Sequence, residues 1–282
     1  MTRAFSMLSY LAIGVFLAAA ARLGSIEGGG PRHTDVMLEG GIPATLYLPG
    51  APSGWSGFRD PPPPGERPPA IVLAHGFAGD RRAVSSPARR LAASGYAVLT
   101  PDLRGHGQNR NPYTRSHARS ESYFPDLSAA VDFLRTSPHV DGSRIAVAGR
   151  SMGAGAALDY GTRDSGIDGV VLISGGQSMN GPYRPPNALF IYAERDPPGI
   201  RGRSRELAAQ LAGVASVERA QTYGDFALGT AVRAVEVPRV DHLSIIWSDV
   251  AIREIVAWLD SIFRVDRLTG KLPDDPRESR HR

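Results

Sequence analysis

The sequence predicts an α/β protein: a mostly parallel central sheet with helices on both faces. Three observations carry that prediction. The runs Ala70–Ala74, Gly169–Ile173 and Ala188–Tyr192 are short and almost wholly apolar, as strands buried on both faces are. Segments with apolar residues at helical spacing lie between such runs, and strands alternating with helices pair in parallel. At 282 residues, 42% hydrophobic and 21% charged, the chain can form one large domain with a substantial core.

In chain order, the first feature is Ala4–Ala21 (AFSMLSYLAIGVFLAAAA), an uncharged run behind Arg3. Its length is near the minimum for a membrane span, and Ala18–Ala21 offers small-residue cleavage positions. Residues 1–23 are therefore expected to be a signal peptide or an N-terminal membrane anchor. The protein is then exported, either membrane-anchored or secreted. Residues 24–33 read as a glycine-rich linker and residues 34–263 as the domain.

Within the domain, Asp35–Glu39 and Ile42–Leu48, joined through Gly40 and Gly41, predict an antiparallel hairpin. Ala51–Pro69, with prolines at 61 to 64, reads as a surface loop. Ala70–Ala74 is the first buried strand. Ser86 and Pro87 have the chemistry of an N-cap and first helical residue, and Gly95 that of a helix stop. A strand at Tyr96–Thr100, a helix near Tyr123–Arg135, a strand at Arg144–Ala148 and a helix from Ser151 to about Tyr160 come next. Beyond Gly169–Ile173 and Ala188–Tyr192, a helix is expected near Arg205–Leu211, a strand at Ala231–Val237 and a last helix at Asp249–Phe263. Residues 264–282, rich in charge and proline, predict a disordered tail.

Composition excludes several function classes. With no cysteine there are no disulfides, no thiolate zinc sites and no cysteine nucleophile. The net charge is only +4, and no basic stripe interleaved with aromatics is present, so nucleic acid is not an expected partner. No His/Asp/Glu group has metal-ligand spacing, so neither a metal nor another cofactor is expected. Nothing in the sequence calls for an obligate protein partner.

In sheets of this kind, ligands bind at the carboxyl ends of the strands. Four of those ends carry reactive side chains: His75–Gly79 (HGFAG), Gly149–Gly153 (GRSMG), Ala193–Asp196 (AERD) and Pro238–His242 (PRVDH). The serine turn is the most specific. A serine between a strand and a helix is held in a strained conformation that projects its hydroxyl. The residues two before and two after approach each other and must be small, hence Gly149 and Gly153. The helix N-terminus behind Ser151 supplies free N–H groups that favour developing negative charge.

With the phrases LAHGFAGDRR, GYAVLTPDLRGHGQN, IAVAGRSMGAGAAL, FIYAERD and VPRVDHLS, the chain resembles the α/β-hydrolase superfamily over about Asp35–Phe263. The likeness is strongest to lidless serine esterases and to dienelactone-hydrolase-like or prolyl-oligopeptidase-like catalytic domains. It implies an α/β-hydrolase fold in which Ser151 is the nucleophile, His242 the general base and Asp196 the residue that orients His242. The backbone N–H groups of Phe77 and Met152 would form the oxyanion hole.

Glu194, two residues before Asp196, is an alternative acid, and Asp225 a more distant one. His75 is expected to shape the oxyanion loop and His106 to sit in a turn. Arg81, Arg82 and Arg150 are expected to be solvated surface arginines, with recognition of a substrate carboxylate as the alternative. A cap domain would fall between Ser174 and Asn187, an interval too short to fold into one. The loop from Trp55 to Pro69 is then the expected partial cover of the site. The expected substrate is a small-molecule carboxylic ester. A peptide or amide is the alternative within the enzyme class, and a catalytically silent binding protein the alternative outside it.

Overall fold

The computed structural model describes residues 30–50, 61–113, 123–176, 179 and 184–265. The expected signal or anchor segment lies outside them, as do residues 51–60 of the proline-rich loop and residues 266–282 of the tail. Among the described residues, no helix is long and apolar enough to cross a membrane.

The strands are β1 (Arg32–Leu38), β2 (Ile42–Leu48), β3 (Ala70–Ala74), β4 (Ala97–Pro101), β5 (Ile145–Arg150), β6 (Gly169–Ile173), β7 (Ala188–Arg195), β8 (Thr222–Tyr223) and β9 (Val232–Asp241). The helices are α1 (Ser85–Ala93), α2 (Phe124–Thr136), α3 (Met152–Gly161), α4 (Pro198–Ala212) and α5 (Asp249–Phe263). One sheet runs in the order β1-β2-β4-β3-β5-β6-β7-β9-β8. Its six inner strands are parallel, while β1, β2 and β8 pair antiparallel at the two edges.

Strand alternation explains why the central runs are apolar throughout. Ala70, Val72 and Ala74 of β3 face the layer of α2, α3 and α4, while Ile71 and Leu73 face α1 and α5. In β5, Ile145 and Val147 face the first layer, and Ala146 and Ala148 the second. A strand covered on both sides has no polar position to spare. Each fully buried Leu, Ile or Val contributes about 1.5–3 kcal/mol.

Several boundaries differ from the sequence reading. The sheet starts at Arg32, so the last two linker positions belong to β1. Helix α1 starts at Ser85, not after Ser86, because a 3-10 turn at Arg81–Val84 feeds it directly. The capping side chain is Asp80, which accepts from the N–H groups of Arg82 and Ala83. Gly95 does end the helix, at a φ of +95°. Helix α4 begins seven residues early, at Pro198, a residue whose fixed φ suits the first helical position. Arg264 and Val265 are ordered: Arg264 caps α5 in the left-handed conformation, and Val265 packs on the core.

The proline-rich loop also departs from expectation. Strand β2 is antiparallel to β4, so its end at Leu48 and the start of β3 at Ala70 both lie at the amino ends of the parallel strands. Pro62, Pro63, Pro68 and Pro69 accordingly line a cavity of about 740 Å³ with Gly95, His139 and Arg144. The described part of the loop, residues 61–69, therefore covers the face opposite the serine turn.

Candidate active site

Ser151 follows the last residue of β5 with φ +53° and ψ −112°, a region costly for any side-chain-bearing residue. What holds it there is the two flanking glycines. A Cβ on Gly149 would lie 2.0 Å from the carbonyl oxygen of Gly153, and one on Gly153 would lie 2.5 Å from that of His75. The Ser151 N–H donates to the Ile173 carbonyl at 2.8 Å, tying the turn to the neighbouring strand.

His242 follows β9 directly. Its Nδ1–H donates to Asp196 Oδ1 at 2.6 Å, and its Nε2 lies 3.0 Å from Ser151 Oγ, whose hydroxyl donates to it. The structure thus brings Ser151, His242 and Asp196 into one hydrogen-bonded line. Asp196 is buried. Its Oδ2 accepts from the Ser174 hydroxyl and from the Ala193 N–H, each at 2.7 Å. Burial alone would raise the carboxyl pKa, but the hydrogen bonds from His242, Ser174 and Ala193 outweigh it and hold the group below the usual 3.8.

The rival acids are occupied elsewhere. Glu194 is exposed and accepts from the Arg239 N–H at 2.6 Å. Asp225 is exposed and closes a turn by accepting from the N–H groups of Ala227 and Leu228.

The HGFAG loop lies against the serine: a Cβ on Gly76 would be 3.4 Å from Ser151 Cβ. His75 is fully buried. Its Nε2 accepts from the Leu103 N–H, which fixes the tautomer, and its Nδ1–H donates to the Gly76 carbonyl. Burial pushes the His75 pKa below 6.5, so the ring is neutral and acts as a strut. Among the described residues, the N–H groups of Phe77 and Met152 have no acceptor. His106 donates to or accepts from nothing in the triad; it meets the rings of Phe77, Tyr113 and Tyr123.

Two of the arginines are not surface groups. Arg81 is buried, and its guanidinium donates to Asp102 Oδ2 at 2.6 Å and to Gln108 Oε1 at 3.0 Å. Asp102 also accepts from the Arg81 and Gln108 N–H groups, so this pair fastens the HGFAG loop to the turn after β4. Arg150 is half-buried and donates to the His242 carbonyl at 2.7 Å. Arg82 is exposed. Ser174, which supports Asp196, carries no motif of its own in the sequence. Only its place at the carboxyl end of β6, beside the acid strand β7, could have marked it.

Among the described residues, no group of three or more His, Asp or Glu side chains is placed to hold a metal ion.

A parallel sheet with a serine on a strained strand-to-helix turn, facing a histidine and an acid from later strand ends, defines the α/β-hydrolase fold. Comparison with known proteins agrees. The serine aminopeptidase family S33 model matches residues 65–197, just under half of the 282. A Pyrobaculum calidifontis esterase superposes with a TM-score of 0.57 at 23% identity, covering 82% of this chain and 85% of its own. A lidless α/β serine hydrolase from Xanthomonas campestris gives 0.53 at 16%, covering 83% and 94%. A monoacylglycerol lipase of Mycolicibacterium smegmatis is 35% identical over 105 residues, or 37% of this chain and 36% of its own. The quorum-quenching protein AidA of Acinetobacter baumannii is 33% identical over 104 residues, covering 36% and 34%. These matches span about a third of the length of those two curated relatives. The chain has the α/β-hydrolase fold, and over residues 65–197 it is similar to the S33 family.

Proposed function

We propose that the protein is a serine hydrolase that cleaves carboxylic esters through an acyl-enzyme on Ser151. The single observation that carries this reading is the Asp196–His242–Ser151 hydrogen-bond line ending on a strained serine. His242 takes the Ser151 proton at Nε2 as Oγ attacks the ester carbonyl, then passes it to the departing alkoxide. Asp196 holds the ring and stabilises the imidazolium. The free N–H groups of Phe77 and Met152 receive the oxyanion; losing one such donor typically costs about 10²–10³ in turnover. Water activated by His242 then releases the acid.

Exposed Phe77, next to Gly76, and exposed Leu243, next to His242, offer apolar support to an acyl or alkyl group. Amide cleavage is the second reading, favoured by the S33 match. The similarity to a monoacylglycerol lipase, at 35% identity over 105 residues, favours esters. The uncharged Ala4–Ala21 run supports a site outside the cytoplasmic membrane.

A membrane-impermeant fluorophosphonate probe, applied to intact cells and to lysates, tests both points. Wild type labels in both samples, and Ser151→Ala in neither. Labelling confined to lysates would reject the external location; an unlabelled, folded wild type would reject the serine hydrolase. Nitrophenyl esters against nitroanilides then separate the two bond types, with faster ester turnover expected.

A further inference from the structure

Arg150 occupies the position between Gly149 and the serine, and its side chain does not run out into solvent. Its Nη2 donates to the main-chain carbonyl of His242 at 2.7 Å. Its Nη1 packs on Gly76, where a Cβ would come within 3.0 Å. One guanidinium therefore touches both loops that flank Ser151. Its Nε is buried without a partner among the described residues, so desolvation is not offset there by a local hydrogen bond. Burying part of an arginine at such a place destabilises unless the group contributes something in return.

The histidine loop is already stiff within itself. Asp241 Oδ1 accepts from the N–H groups of Leu243 and Ser244 and from the Ser244 hydroxyl. The loop's backbone is tied to β7, where Asp241 pairs with Arg195, but among the described residues it has no direct main-chain tie to β5, which carries the serine. The Asp196 contact fixes the imidazole at Nδ1 but not the backbone that carries it. Arg150 supplies the missing link, because its own Cα is one peptide away from Ser151.

We infer that Arg150 is a positioning residue, which sets the Nε2-to-Oγ distance by clamping the His242 carbonyl to the end of β5. The inference rests on the serine-hydrolase reading above. The planar guanidinium of Arg150 reaches the His242 carbonyl with one nitrogen while another packs on Gly76, so lysine replaces it only in part. A displacement of about 1 Å at a reacting group costs up to about 10²-fold in rate.

The test compares wild type, Arg150→Met and Arg150→Lys, all as full chains, for fluorophosphonate labelling rate, nitrophenyl ester kinetics and thermal midpoint. The expected result is labelling and kcat slowed by about 10- to 100-fold in Arg150→Met. KM and the midpoint stay near wild type, and Arg150→Lys recovers part of the rate. Added guanidinium, below denaturing concentration, accelerates Arg150→Met but not wild type. Unchanged kcat overturns the inference, and so does a rise in KM alone, which would make Arg150 a substrate contact. A slowed Arg150→Met that neither lysine nor guanidinium restores also overturns it, in favour of a purely structural role. An unlabelled wild type instead sinks the parent reading, and the inference falls with it.

Discussion

Asp196 shows how much one carboxylate does at the scale of a residue. It accepts three hydrogen bonds on two oxygens, from His242 on one side and from Ser174 and Ala193 on the other. An amide cannot reproduce that pattern. Asparagine presents its oxygen either to His242, leaving its NH₂ against the Ala193 N–H, or to Ala193, leaving its NH₂ against His242 Nδ1. The second arrangement keeps the backbone hydrogen bond and forces the wrong histidine tautomer. Asp196→Asn is therefore expected to fold and to lose about 10³–10⁴ in turnover on an ester substrate. Glu194→Gln changes only an exposed contact to Arg239 and should stay within a few-fold of wild type. Equal losses in the two variants would remove Asp196 from its assigned role.

At the scale of an element, the serine turn depends on two glycines that have no freedom to change. Gly149→Ala would drive a methyl to 2.0 Å from the Gly153 carbonyl oxygen, and the backbone on both sides belongs to β5 and α3. Neither element moves without losing its packing on the central strands, so the loss should be about 3 kcal/mol or more, read as insoluble or thermally weakened protein. Gly199 gives the contrast: it sits in the first turn of α4, and a methyl there would have nothing within 4 Å. At that position alanine should add about 0.4–1 kcal/mol through the unfolded state, visible as a higher denaturation midpoint. The same comparison explains what was legible in the sequence. Gly149 and Gly153 announce their turn because no other residue fits it, and β3 and β6 announce themselves because both faces are covered. The ends of β7 and β9 carry no such signal. Glu194, Arg195, Arg239 and Asp241 are exposed, so no hydrophobic pattern marks them as strand. Arg150 and Arg81 mislead for a related reason: a charged side chain reads as surface until its partner, 92 and 21 residues away, is known.

The whole molecule has to close a gap that the fold itself creates. β5 and β9 are separated by β6 and β7, and strands lie about 4.8 Å apart, so the serine and histidine strands stand about 14 Å from each other. The overrun of β9 to Asp241, beyond its regular pairing with β7, carries the chain toward the serine before His242 turns in. Asp196 lies just past the end of β7, the strand between, which is why it can brace the ring from behind.

The titratable groups that hold these strand ends together also predict how the molecule responds to acid. His75 is neutral in the fold because burial lowers its pKa below 6.5, whereas in the unfolded chain it binds a proton near 6.5. His139 is shifted the same way, by burial first and by nearby Arg67. Unfolding therefore takes up protons as pH falls through 6.5, and stability declines there, by up to about 1.4 kcal/mol per pH unit for each proton taken up. Asp196 and Asp164 act later. For both, burial opposes ionisation, but hydrogen bonds from their partners win and depress the pKa below 3.8. Their contribution is complete above that value and is lost as pH falls through the depressed ones. Asp168, raised by burial, opposes this second loss in part. Thermal midpoints measured from pH 8 to pH 3 should show a plateau, a first decline beginning near 6.5 and a steeper one below about 4. His75→Asn lacks the proton uptake at residue 75, so its first decline should be shallower than that of wild type, whatever its absolute midpoint. If the first decline is equally steep in both proteins, His75 is not held neutral by the HGFAG loop, and its role as a buried strut fails with it.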